Sequence, residues 1–512
     1  MALTAPFVDK KKNKILFFFF CILPTNSYLC RLVGEECQVR PHCMNQQYYD
    51  KTSPKSIFEY AIPLLDHTLR EIVGDEAVEG YNMSGKGTLG QMVEELYYHY
   101  KANSNPTPDF EEAGVELKTT GLKRLKDLSL QIKERLVVDM IDYNEVVKQS
   151  FEMSLFYNKC RLMLLLFYLY DGRLEQYDRY FLFVALWKIP EKDLLMIKHD
   201  YDVIIEKIKR GEAHLLSEGD TEYLGACRKG QKGDSLRAQP FSPIGAPRRA
   251  FSLKTAYMRT VLQYIKDSGK RAVVNYDLQG EEVVNASELK ERSFEEIILS
   301  RFAPFIGKDY KEISAMLSKK ESSSKSKYFD IANSIVSPDV SNVNLSEEFQ
   351  KAGLTMKTIR VEESGSLKES MSFENIDYEE VYENENWYDS RLYELFTSRF
   401  LFVVYRRDSN RNILINGKEE KRYVLQKVFF WTMPLKDVDL AEEYWMNIRK
   451  CVLENHIAPE YFWKLRDHRN FHVRPKGRVA ADLAYNPNGG YAKKYCYWFN
   501  SEYVKNIIES NE

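Results

Sequence analysis

Zinc-type ligand spacing is missing from this sequence. Its eight cysteines form no CxxC pair and no Cys/His quartet, which argues against a structural zinc module. A strong charge of either sign is missing too. The formal net charge is −2, so composition neither favours nor excludes nucleic acid, and any basic surface must be local. The conspicuous apolar run near the start, Ile15 to Leu23, is nine residues, well short of the roughly 20 that span a bilayer. No A-x-A-like cleavage site follows it, as a signal peptide would require. No membrane partner is expected.

What remains is a folded globular chain. With 512 residues it exceeds one ordinary core and predicts two or three domains. Apolar residues make up 44% and aromatic residues 13%. Thirty-four tyrosines serve packing or ligand contact equally well, so they decide nothing alone. Cys21, Cys30, Cys37 and Cys43 crowd the start; Cys160, Cys227, Cys451 and Cys496 are scattered and read as reduced thiols of a cytoplasmic protein. The basic, phenylalanine-rich beginning best fits an overlong start assignment, with the protein beginning near Met44. A disordered arm and a signal are the alternatives.

Periodicity organises the rest. Ile57, Tyr60, Ala61, Leu64, Leu65 and Leu69 have helical spacing and predict a helix over 53–73; Leu89, Met92, Val93, Leu96 and Tyr97 mark a second. Val115 to Thr119 alternates like a half-buried strand, while Leu162 to Tyr168 and Phe181 to Ile189 read as buried strands. Between Leu224 and Lys254 the composition turns basic, with Gly and Pro interspersed, which predicts a long functional loop. A helix begins near Ser293, and the first domain ends near 270–292.

The most informative segment is Pro108 to Lys118. On a strand, Glu116 and Lys118 share one face while Val115 and Leu117 pack inward. Asp109, in the preceding turn, can fold back beside Glu116, giving two hard oxygen ligands suited to Mg²⁺. Lys118 can orient a water or neutralise a phosphate. Phosphodiester hydrolysis asks for this set; the bland reading is a solvated strand face. Upstream, Glu94 and Glu95 both flank an apolar helical stripe, and spacing alone does not choose between them. Gly90, one turn earlier, leans to Glu94.

Lys86, Gly87, Gly90 and Glu94, then Asp109, then Gly114-Val115-Glu116-Leu117-Lys118-Thr119 resemble the pattern of the MutH nicking endonucleases and the GATC-cutting restriction endonucleases of the Sau-three-A-I type. The resemblance implies that Asp109 and Glu116 hold Mg²⁺, that Glu94 supports the site, and that Lys118 assists the attacking water. It implies a further lysine in the next strand, where Lys159 stands. Glu222 to Gly230 resembles the family's DNA-reading loop and Phe251 to Lys254 the segment after it, so Arg228, Lys229 and Lys254 are expected at DNA. The residues after Leu224 depart from the nicking enzyme, which leaves open which side chain reads which base.

A divergent repeat occupies the second half. Phe349 to Thr358 echoes Phe110 to Thr119, with Glu348 at the place of Asp109, Thr355 at that of Glu116, and Lys357 keeping the lysine. Ile376-Asp377-Tyr378 echoes Ile141-Asp142-Tyr143, Phe400 to Tyr405 echoes Met163 to Tyr168, Thr397 falls near Lys159, and Asn333 falls opposite Glu94. Loss of a metal carboxylate predicts a domain that cannot cut. His472 to Arg478 resembles the recognition loop, so Arg474 and Lys476 are expected at DNA; a structural buttress is the alternative.

The expected architecture is therefore α/β: an extension over 1–43, a catalytic domain over 44–280, and a degenerate, DNA-binding regulatory domain over 290–512. Each domain is a MutH-like mixed central sheet flanked by helices. The resemblance implies a type II restriction endonuclease acting with Mg²⁺ on double-stranded GATC, with self-association on DNA. A mismatch-repair nickase is the runner-up, and a sequence-specific binding protein without catalysis the reading from another class.

Overall fold

The computed structural model describes residues 48–81, 89–101, 106–125, 128–230, 233–274, 281–367, 370–477, 479 and 482–511. The amino-terminal extension, the motif residues Lys86 and Gly87, and Arg478 lie outside them. Residues 49–512 form one compact unit.

In the first half the strands are β1 (Glu116–Arg124), β2 (Leu130–Ile132), β3 (Leu136–Met140), β4 (Leu162–Leu169), β5 (Phe181–Lys188), β6 (Leu224–Arg228), β7 (Arg237–Gln239), β8 (Ser242–Ala246), β9 (Arg249–Leu253) and β10 (Arg271–Val274). The main sheet has the order β10-β5-β4-β1-β2. Its centre, β4, runs parallel to β1 and antiparallel to β5. Both faces of β4 are buried: Leu164 and Leu166 pack on the amino-terminal helices, and Met163, Leu165 and Phe167 face the largest core. That explains a continuous apolar run in place of alternation; each such side chain is worth roughly 1.5–3 kcal/mol. A smaller sheet, β3-β9-β6, stands beside it.

The second half comprises β11 (Thr355–Val361), β12 (Met371–Asn375), β13 (Phe400–Ile415), β14 (Lys418–Trp431), β15 (Phe471–Pro475), β16 (Leu483–Asn486), β17 (Gly490–Lys493) and β18 (Tyr495–Phe499). It repeats the first in topology. β11 is parallel to β13 and β13 antiparallel to β14, and β12-β18-β15 matches β3-β9-β6 in order. Glu116 pairs with Met163 and Thr355 with Phe400, the register the sequence echoes require. Asp142 and Asp377 each cap the short helix that follows. A 19-residue helix, entered through Pro190 or Pro434, follows β5 in the first half and β14 in the second. The largest core continues from Tyr257 and Ile265 of the first half to Phe349, Leu354 and Leu401 of the second. Across the same seam Lys351 is paired with Asp193 at 2.6 Å, both buried.

Three local expectations are corrected. The helix expected over 53–73 is broken into Pro54–Ala61, a 3₁₀ turn Ile62–Leu64, and Leu69–Val73. Pro63 cannot donate to a continuing helix, Asp66 turns at φ +61°, and Thr68 with Glu71 forms a fresh capping box. The segment 224–254 is no long loop: it folds as β6, the β7–β8 hairpin and β9. The apolar stretches 223–227 and 250–253 pair and bury, which outweighs the charge around them. Lys159 sits in the last turn of the helix Leu155–Cys160, not in a strand. The described cysteines Cys160, Cys227, Cys451 and Cys496 are buried and form no disulfide.

Candidate active site

The site begins with a tight turn. Glu111 to Gly114 reverses the chain between Phe110 and Val115, which form an isolated bridge. Gly114 is required there twice over: its φ is +64°, and a Cβ would come 2.6 Å from the Arg161 guanidinium. The turn brings Asp109 back onto the start of β1. The Asp109 carboxylate accepts the Leu117 amide at 2.8 Å, and the Asp109 amide donates to Glu116 Oε2 at 3.3 Å. Glu116 thus holds the backbone of Asp109, and Asp109 holds the backbone at Leu117, one residue past Glu116.

Glu116 is only 2% exposed. Lys118, two residues along the same strand face, donates to Glu116 Oε1 at 2.6 Å. Lys159 enters from the adjacent helix, its Nζ 3.9 Å from Glu116 Oε1. Glu94 joins from a π-helical turn, Val93–Tyr97, a distortion frequent at functional sites. Burial, and next the charge of Asp109, push its carboxyl up to about 8. Glu95 bonds Tyr81 instead, so the structure resolves the pair that spacing left open.

The acids are crowded. Burial and then the charge of Glu116 push Asp109 up to about 6. Carboxylates that repel one another in a partly dry notch are short of positive charge, and a hard divalent cation supplies it. Asp109 and Glu116 fit such an ion: two carboxylates with the remaining positions left to water and phosphate is the usual manner of Mg²⁺. Among the described residues no group of three or more His, Cys, Asp or Glu is placed to hold a metal ion.

Two residues escaped sequence reasoning. Asp139 on β3 stands 3.7 Å from Lys159 Nζ. The β3–β9 register shifts between Val137 and Asp139, and such an irregularity re-aims a side chain. An acid inside the apolar run Leu136–Met140 was the available signal. Tyr100 is the other. Its hydroxyl is buried and without a hydrogen-bond partner among the described residues; burial, then the charges of Asp109 and Glu94, push its phenol far up. Tyr98 and Tyr100 pack edge-on against Phe110, with ring centres 5.0 and 5.4 Å away. The tyrosines here brace the residue next to Asp109.

The residues expected at DNA divide. Arg228 and Lys229 end β6, half-buried, with Arg228 over the Tyr388 ring. Lys254 turns inward: its Nζ donates to the Thr221 carbonyl, and burial draws its pKa down against the pull of Glu222 and Asp200. It is half-buried and engaged within the chain. Arg474 and Lys476 are exposed at the end of β15, both over Trp498. In the second half Glu348 is 1% exposed and faces away from any notch, capping the Val283 and Val284 amides and pairing Lys192 at 2.7 Å. Asn333 is spent on Val340 and Val343, and Thr397 on the Tyr393 carbonyl.

A family model described as the DNA mismatch repair enzyme MutH matches residues 98–200, a span that takes in Asp109, Glu116, Lys118, Asp139 and Lys159. The chain is 27% identical over 181 residues to the DNA mismatch repair protein MutH of Shewanella woodyi, covering 35% of this chain and 76% of that protein. It is 30% identical over 502 residues to the type II restriction enzyme Sau3AI of Staphylococcus aureus, covering 86% of this chain and 95% of that protein. With an acid-and-lysine notch set in a MutH-like sheet and a match that runs through both halves, the chain belongs to the Sau3AI family of type II restriction enzymes and is a site-specific endonuclease.

Proposed function

We propose that the chain hydrolyses both strands of double-stranded DNA at GATC, on the five-prime side of the G, leaving five-prime phosphates. The observation that carries the hydrolysis is the convergence of Asp109, Glu116 and Lys118 in one half-buried notch; the GATC site and the position of the cut are what the family resemblance implies. Asp109 and Glu116 would hold Mg²⁺, which supplies the charge that polarises a phosphate and acidifies a water. Lys118, anchored on Glu116, positions the attacking water in line with the scissile bond. Lys159 offers its charge to the phosphate, and Glu94 keeps negative potential beside the ligand pair. Arg228 and Lys229 reach the duplex from the end of β6.

Residues 44–280 form the catalytic domain in this reading, and 290–512 a regulatory domain that captures a second GATC through Arg474 and Lys476. Activation then needs a difference in affinity between two states of the chain; self-association on DNA follows from occupying two sites. The place of action is the cytoplasm; among the described residues no helix is long and apolar enough to cross a membrane.

A mismatch-repair nickase is the second reading, favoured by the MutH match. That match covers 35% of the chain, against 86% for the restriction enzyme. Supercoiled plasmid of known sequence, incubated with purified protein and Mg²⁺, separates them. Linear fragments with ends at GATC support the first; nicked circles support the second; intact plasmid at every metal concentration refutes both and leaves a binding protein.

A further inference from the structure

In the first half, Lys118 is neutralised by Glu116 at 2.6 Å. Lys357 holds the equivalent place on β11, where Thr355 stands two residues earlier in place of an acid and Glu348 is engaged with Lys192. Among the described residues Lys357 has no carboxylate partner. The charge that acts on it is that of another lysine, Lys476. Lys357 Nζ lies 5.4 Å from the centre of the Phe373 ring, and Lys476 Nζ reaches the carbonyl of the same Phe373 at 2.8 Å and Ser372 Oγ at 3.2 Å. Arg474 lies over Trp498, 4.9 Å from the ring centre, beside Lys476 over the same ring. Burial and the like charge of Lys476 pull the Lys357 pKa down, with only the Cys496 thiol opposing.

Cations gathered around one residue, Phe373, with Lys357 half-buried and Lys476 exposed, repel one another unless an anion joins them. We propose that the second-half notch, formed by Lys357 and Lys476, seats a DNA backbone phosphate directly and without a metal ion. The same strand position that serves a metal site in one half serves an anion site in the other, because the acids have gone and the ammonium has stayed. Phe373 and Trp498 offer their faces to the ammonium groups of Lys357 and Lys476, and Arg474 extends the positive edge along the duplex. The inference rests on the second DNA site of the preceding reading and specifies how that site works.

The test uses the full chain in EDTA, where no cleavage occurs, titrated with a fluorescent duplex carrying one GATC. The parent should take up two duplexes per chain. Lys357→Gln, which keeps most of the apolar stem, should weaken the second uptake by roughly tenfold and lower its salt slope by about one. Lys357→Arg should restore both. Lys476→Ala should resemble Lys357→Gln. Second uptake in Lys357→Gln with the parent's affinity and slope, or a second uptake that appears only when Mg²⁺ is added, overturns the phosphate seat while leaving the second DNA site standing. A parent that saturates at one duplex overturns both.

Discussion

Lys159 Nζ stands 3.7 Å from the carboxylate of Asp139, so a residue of the β3-β9-β6 sheet holds a cation at the mouth of a notch built on the main sheet. The pair leaves Lys159 between two acids, Asp139 and Glu116. Asp139→Asn removes the outer anchor without changing shape. Turnover on plasmid should fall about ten- to hundredfold through the loss of orientation, with little change in KM. Asp139→Glu should recover part of it. A full-rate Asp139→Asn enzyme would show that Lys159 needs no anchor.

Removing one of the acids proposed to hold the metal is harsher. Asp109→Asn or Glu116→Ala should lower the cleavage rate by at least on the order of 10³-fold while duplex binding in EDTA persists. Gel shifts beside plasmid digestion check this. A Glu116→Ala chain that still cuts would refute the site assignment.

The crowded acids also dictate a pH response. Burial and then the charge of Glu116 raise Asp109 to about 6, and burial and then the charge of Asp109 raise Glu94 to about 8. Raised carboxyls bind more protons folded than unfolded, so their contribution is complete below the unfolded range near pH 4 and is lost as pH climbs through 6 and then 8. In EDTA the Tm should therefore fall across that window. Mg²⁺ competes with those protons, so its stabilising effect should be larger at pH 8 than at pH 6. Calorimetry with and without metal reads both slopes; a Tm shift by Mg²⁺ independent of pH would contradict them.

Lys254 should matter to folding and not to DNA. Its Nζ bonds the Thr221 carbonyl and faces Asp200 and Glu222. Lys254→Met leaves two interior acids without that cation, at a cost of roughly 2–3 kcal/mol. Urea denaturation should show the loss, and the remaining folded chain should bind duplex as the parent does. Weaker duplex binding at unchanged stability would return Lys254 to the DNA surface.

Much of the fold could be read from residue order alone, and the reasons are local. The run Leu162–Tyr168 announces a strand buried on both faces, and Ser293 announces a helix start that the structure caps through Glu296. The registers Glu116–Met163 and Thr355–Phe400 follow the echoes between the halves. Charge misled over 224–254, where Arg249 turns inward to the Ala226 and Leu216 carbonyls. A basic side chain does not by its type announce which way it points.

The order of residues by itself determined that an acid and an ammonium share a strand face at Glu116 and Lys118, that a second acid precedes them across a glycine turn, and that a worn copy follows. Those facts depend on spacing within a few residues, where backbone geometry leaves little choice. Only the tertiary structure decided that Glu94 and not Glu95 joins the acids, that Asp139 stands by Lys159, and that Lys357 and Lys476 both lie against Phe373. Each of these joins segments far apart in the chain, and such meetings are set by how whole sheets and helices pack, which no local pattern encodes.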